Sequence, residues 1–197
     1  TFDLRWVSLA DVFGRKMITL FWDDNGKQFF HAARSQTHLI ARSHPALDGA
    51  EPSGNSAAAF AYLRMARFVD DWGYEKRARD VIESNTAAMK KSPQAFTKMF
   101  CAADMLLHPP SEVAIVGNRG AADTMALFRA LHAHFVPSKI VAFLDPLSPD
   151  AADAEARIPL LKAKKMVSDK AAAYVCKNFT CGSPARTPEE LLHALGI

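Results

Sequence analysis

Two consecutive prolines, Pro109 and Pro110, set the tightest limit on how this chain can fold. Proline lacks an amide hydrogen and its ring collides with the preceding turn, so no helix continues through that point. The patterns on the two sides differ. Before the prolines, apolar residues recur at helical spacings; after them, short apolar runs alternate with helix-like stretches. We therefore expect two domains, residues 1–108 and residues 111–197, in a chain of 197 residues.

Four long helices are expected in the first part. Trp6, Leu9, Phe13, Met17 and Leu20 recur three and four apart and form one helical face over Leu4–Trp22. Asp23-Asp24-Asn25-Gly26 ends that helix with turn chemistry. Short apolar runs at Phe29-Phe30 and Leu39-Ile40-Ala41 suggest a small hairpin, followed by a loop from Arg42 to Pro52. A second helix opens near Ser53 and runs to about Asp70, apolar on almost every side, which calls for enclosure. Asp71-Trp72-Gly73 breaks it. The third helix, Tyr74–Met89, carries Ala78, Val81, Ile82, Asn85 and Met89 on one face. Ser92-Pro93 signals a fourth, with Phe96, Met99, Phe100, Ala103 and Leu107 as its stripe.

Beyond the prolines, Val113–Gly117, Lys139–Leu144 and Ala171–Cys176 read as strands. Ala121–Phe135 reads as a helix, and Thr187-Pro188-Glu189-Glu190 starts another with a cap, a proline and early acids. Strands alternating with helices imply a small α/β domain with a mostly parallel sheet.

Composition narrows the function classes. With 49% apolar residues the chain can bury a core, and 24 basic against 21 acidic residues leave no field to attract nucleic acid. No apolar stretch approaches the ~20 residues that span a bilayer, so no membrane partner is expected. The first residues lack a charged and apolar leader pattern. The chain also starts without methionine, as a piece of a longer protein would. Three cysteines are too few and too odd in number for a disulfide scaffold, which suggests a reduced, cytoplasmic setting.

The densest chemistry is D-G-A-E-P-S-G-N-S-A-A-A, Asp48–Ala59. Asp48-Gly49 favours a tight turn, and Ser53 or Asn55 can cap the helix that follows. The unpaired N–H groups of a helix start attract anions or hydroxyl-rich ligands, and Asp48 and Glu51 add two carboxylates of the kind used in acid/base work on sugars. The same residues also suit a purely structural turn. Cys176 and Cys181, spaced C-x4-C, allow a disulfide or a reversible redox pair, but two unlinked structural thiols are the expected state; a zinc site would need about two more ligands. Gly117-Asn118-Arg119-Gly120 lacks the G-x-G-x-x-G spacing of a dinucleotide loop and reads as a plain strand-to-helix turn. His31, His38 and His44 share no helix face, so no metal is expected.

The string D-G-A-E-P-S-G-N-S-A-A, followed downstream by A-Y-V-C-K-N-F-T-C-G-S-P, resembles the carboxy-terminal half of the YyaL family, over essentially the whole chain. That family joins a thioredoxin-like domain to a six-hairpin glycosidase-like toroid and includes spermatogenesis-associated thioredoxin-like proteins of animals. W-D-D-N-G-K-Q-F-F-H is similar to the toroid's strand-bearing loop, but Lys27-Gln28-Phe29 stands where family members usually show G-G-F or G-G-Y.

The resemblance implies a mainly α fold, a partial α/α toroid of helical hairpins followed by the small α/β domain. It implies that Asp48, Glu51, Ser53 and Asn55 face a cavity, with Asp48 and Glu51 catalytic and Ser53 and Asn55 binding a carbohydrate-like ligand. Cys176 and Cys181 become redox candidates, and no cofactor is implied. The thioredoxin-like domain would lie upstream. Four helices cannot close a toroid, so the missing upstream part of the parent, or another chain, would complete it. The alternative is a catalytically silent scaffold for that upstream domain.

Overall fold

A computed structural model describes residues 2–69, 71–177 and 180–197. Asp70, at the expected end of the second helix, and Asn178 and Phe179, inside the C-x4-C string, lie outside the described residues, as does Thr1. The described residues contain seven α-helices and two small sheets. They divide into two compact units, Arg5–His108 and Pro109–Ile197, the latter including the first residues through Leu4.

The helical unit contains α1 (Leu4–Phe21), α2 (Gly54–Val69), α3 (Trp72–Lys91) and α4 (Thr97–Leu107). Between α1 and α2 lies a two-residue ladder, β1 (Trp22–Asp23) against β2 (Gln28–Phe29). The core sits where α2 meets α3 and α4: Ala58, Ala59, Tyr62 and Leu63 face Ala78, Val81, Met99, Ala102 and Met105, all buried. An aromatic chain extends it, Trp22 to Phe29 to Tyr62 to Tyr74, with ring centroids 4.9, 5.5 and 4.9 Å apart.

Helix α3 buries all five residues of its expected face. Its start differs from expectation. Asp71 does not only break the chain; its side chain accepts from the Gly73 amide and so caps α3. Ser92-Pro93 opens a 3₁₀ turn, Pro93–Ala95, and α4 begins after it. On α4 the buried side is Met99, Ala102 and Met105, whereas Phe100 and Leu107 are exposed. The expected hairpin partner, Leu39–Ala41, forms no strand, and Ile40 is fully exposed. The turn at Asp23–Gly26 is the cause: the chain reverses at once, with Lys27 at φ 54°, and returns as β2.

Helix α1 is the anomaly. Its sole buried residue is Gly14. The first part of the apolar stripe read from the sequence is its open side, with Trp6 61% and Phe13 56% exposed, whereas Met17 and Leu20 are partly buried. Two tyrosine hydroxyls hold the opposite side: Tyr62 donates to the Gly14 carbonyl at 2.9 Å, and Tyr74 donates to the Asp11 carboxylate at 2.8 Å. A side chain at Gly14 would lie 2.7 Å from the Tyr74 hydroxyl, which explains the glycine.

The second unit is built on β3 (Glu112–Val116), β4 (Ile140–Leu144), β5 (Ala172–Lys177) and β6 (Thr180–Cys181), in the order β4-β3-β5-β6. A crossover through α5 (Ala122–Ala133) makes β3 and β4 parallel. The expectation of a mostly parallel sheet is corrected at β5, which runs antiparallel to β3 and to β6. After β4 comes α6 (Ala151–Arg157), only seven residues long, and a 3₁₀ turn, Pro159–Leu161. A tight reversal then follows, Val167 and Lys170 exchanging backbone bonds around Ser168 and Asp169, both at positive φ. That reversal sends the chain back against β3, where a parallel strand would have needed a further crossover helix.

Val113, Ile115, Phe143, Ala173 and Val175 line one face of the sheet with Leu127 and Leu131 of α5 and Leu191 of α7 (Pro188–Leu195). Helix α7 has the expected cap: Thr187 Oγ1 accepts from the Glu190 amide at 3.2 Å. Gly117 packs tightly after β3, since a Cβ there would collide with the Thr124 hydroxyl and lie 2.8 Å from Ala171 Cβ. Gly117→Ala should therefore lower stability by about 2 kcal/mol, read as a lower urea midpoint with an unchanged slope.

Candidate functional site

The loop Asp48–Pro52 enters α2, and its polar groups turn inward onto the protein. One oxygen of Asp48 accepts from the Ser53 amide at 2.8 Å. The other accepts from the amides of Lys98 and Met99, at 2.8 and 3.2 Å, in the first turn of α4. Helix α4 has no side-chain cap of its own, because its cap position is Phe96. A carboxylate about fifty positions earlier supplies what that residue cannot. The Asp48 amide also donates to the Ala95 carbonyl at 2.8 Å, which fixes the loop against the 3₁₀ turn.

Ser53 is buried and caps α2. Its Oγ accepts from the Ser56 amide at 3.1 Å, lies 3.1 Å from the Ala46 carbonyl that it donates to, and sits 2.9 Å from the Ser56 hydroxyl. Asn55, 1% exposed, uses its amide as a substitute strand partner. Its Oδ1 accepts from the Phe29 amide at 2.8 Å, while Nδ2 donates to the Phe29 and Pro45 carbonyls, both at 2.9 Å. Of the four residues, Glu51 alone is exposed with no hydrogen bond or ion pair from its side chain. The structure thus brings Asp48, Ser53 and Asn55 together, but with their polar atoms on backbone groups and the Ser56 hydroxyl of the protein itself.

Burial opposes ionisation of Asp48. The Ser53 amide, the Ser56 hydroxyl and the Met99 and Lys98 amides outweigh it and hold the carboxyl below the usual carboxylate range. This is opposite to a general acid, which needs its pKa raised. Because folding favours the ionised form, its contribution is present above about pH 4, the unfolded value, and is lost as the pH falls through the lower folded value.

Two hollows lie around this loop-to-helix segment. One, of about 180 Å³, lies under the start of α2 and is lined by Met17, Phe21, Phe29, Phe30, His31 and Asn55, among others. The second, of about 300 Å³, lies between Asp48–Pro52 and the first turn of α4, beside Lys98 and the exposed free thiol of Cys101. Sequence reasoning missed this one, because nothing local to Asp48 points to α4. Close by, His44 Nε2 lies 3.0 Å from Asp23 Oδ2, at ion-pair distance but without hydrogen-bond alignment, and its ring stacks on Phe30. Among the described residues, no three His, Cys, Asp or Glu side chains converge as a metal ion would need. No helix among them is long and apolar enough to cross a membrane.

In the second unit, Cys176 and Cys181 are joined by a disulfide, which corrects the expectation of two unlinked thiols. The register explains the bond: Lys177 faces Thr180 and Cys176 faces Cys181 across the β5–β6 ladder. At the Gly117–Gly120 turn, the Asp145 carboxylate accepts from the Arg119 amide at 3.1 Å, tying the end of β4 to the turn as a structural link.

No family model matches the chain. Among curated proteins, it is 30% identical to spermatogenesis-associated protein 20 of Homo sapiens over 173 residues, which is 87% of this chain and 22% of that protein. The protein of the same name from Rattus norvegicus is 28% identical over 173 residues, with the same coverage. An uncharacterised protein of Caenorhabditis elegans is 25% identical over 171 residues, again covering 87% of this chain and 22% of its own length. The chain thus spans about a fifth of the length of the curated relatives it matches. These similarities support kinship with the spermatogenesis-associated proteins named in the sequence resemblance.

Two substitutions test the geometry. Asp48→Asn should cost about 2 kcal/mol at pH 7, and its gap from the unsubstituted protein should narrow as the pH approaches 3, in parallel guanidinium titrations. Asn55→Asp, nearly isosteric, would aim a buried carboxylate at two carbonyls; a loss of about 3 kcal/mol is expected in the same assay.

Proposed function

We propose that this chain is the carboxy-terminal part of a longer protein and serves there as a catalytically silent scaffold, the helical unit completing a larger helical assembly. The observation that carries this reading is the use of Asp48, Ser53 and Asn55. Each spends its polar atoms on groups of the protein itself, backbone amides and carbonyls and the Ser56 hydroxyl, and Asp48 is held in the ionised form. A second observation agrees with it. Helix α1 leaves Trp6, Leu9, Val12 and Phe13 exposed along one side, as suits a helix enclosed by further protein. The resemblance supplies the rest of the reading: an upstream thioredoxin-like domain, and a toroid that the four helices here form only in part.

A carbohydrate-like ligand is the second reading, favoured by the aromatic lining of the hollow under α2 and, separately, by the exposed Glu51 carboxylate on the loop, which lines neither hollow. The two readings part in the intact parent. The scaffold reading expects no binding heat from neutral mono- and oligosaccharides in calorimetry. It also expects loss of the upstream domain's thiol-dependent activity when the segment is deleted. Saccharide binding abolished by Glu51→Gln, with stability unchanged, would overturn it in favour of a ligand site on the loop.

A further inference from the structure

We propose that the Cys176–Cys181 disulfide is a reversible thiol–disulfide exchange site, with a dithiol as its reducing substrate and Cys181 as the sulfur that is attacked. The reading goes beyond the scaffold role and rests on different residues. Two features of the β5–β6 pairing carry it.

The first is asymmetry of access. Cys176 is 2% exposed, whereas Cys181 is open on an edge strand of two exposed residues. An incoming thiolate reaches one sulfur and not the other.

The second is redundancy. The bond closes a loop of only four intervening residues, so it removes little entropy from the unfolded chain. The hairpin has other ties. Gly182 donates to the Val175 carbonyl at 3.0 Å, and Ala185 and Ala173 exchange two backbone bonds at 2.7 and 2.8 Å. Strand β5 is also paired with β3 along Glu112–Val116. Cleavage therefore leaves the sheet in place, and the two sulfurs stay opposite each other, ready to rejoin.

The exchange balances as a two-electron transfer. A thiolate of the external dithiol attacks Cys181 Sγ, the S–S bond breaks, and Cys176 Sγ leaves with the electron pair and takes up a proton. The second thiol of the reductant then attacks the mixed disulfide, releasing Cys181 as a thiolate and the reductant as its own disulfide.

The test uses the 197-residue chain in a Cys101→Ser background, which removes the remaining thiol. Native protein is incubated with millimolar dithiothreitol, and free thiols are counted by maleimide mass shift while circular dichroism follows the melt. Expected are two thiols gained without denaturant, a cooperative melt retained, and full re-oxidation by glutathione disulfide. In single variants, Cys181 in Cys176→Ser should react with an aromatic disulfide about 100-fold faster than Cys176 in Cys181→Ser. A bond reducible only in guanidinium, a melt lost on reduction, or equal reactivity of the two thiols would each overturn the proposal. The first two outcomes need no substitution in the hairpin, so a variant that misfolds does not blunt the test.

Discussion

The helical unit turns on one carboxylate serving two helices. Helices α2 and α4 both begin at Asp48, one through the Ser53 amide and the other through the Lys98 and Met99 amides. Each helix start carries unpaired donors and partial positive charge, and two such ends close together repel unless an anion lies between them. Asp48 is that anion. The place where an external phosphate or sugar acid could have bound is taken by the protein's own side chain. With this knot in place, the small residues of α2 come close enough to α3 and α4 for alanines to form the contact.

Asn55 makes a second link of the same kind. By pairing with both backbone groups of Phe29, it gives β2 a partner on its open side and seats Phe29 between Trp22 and Tyr62. The loop that looks like a ligand site in one dimension therefore positions an aromatic core in three. The polar residues of the entrance and the rings of the core belong to one device.

Much of this was legible along the chain, and the failures have physical causes. Periodicity found the four long helices because each carries an apolar repeat, and the cap-proline-acid run found α7 because capping is local. Periodicity could not say which apolar side of α1 is covered, since residues of both kinds of environment recur three and four apart. Nor could it show that Asp48 reaches α4, a contact spanning fifty positions with no local signature. The direction of β5 depends on how far α6 extends and on two residues at positive φ, Ser168 and Asp169, neither of them a glycine that would have marked the turn. The disulfide was legible in principle. Four residues between two cysteines fit a hairpin that places them face to face, but that inference needed the strand to continue past Cys176, as it does.

The attachment of α1 bears on how freely its sequence can change. Tyr62 grips a main-chain carbonyl, and Tyr74 rests against a residue without a side chain. The Tyr62 anchor recognises the helix backbone at Gly14, while Tyr74 packs on Gly14 and bonds both the backbone and the carboxylate of Asp11. Substitutions at the exposed apolar positions Trp6, Leu9, Val12 and Phe13 therefore leave these anchors, and the Arg15–Asp71 pair beside them, intact. Those outward residues can vary to suit whatever surface they meet, while the terms set by the core fall on the positions that face it.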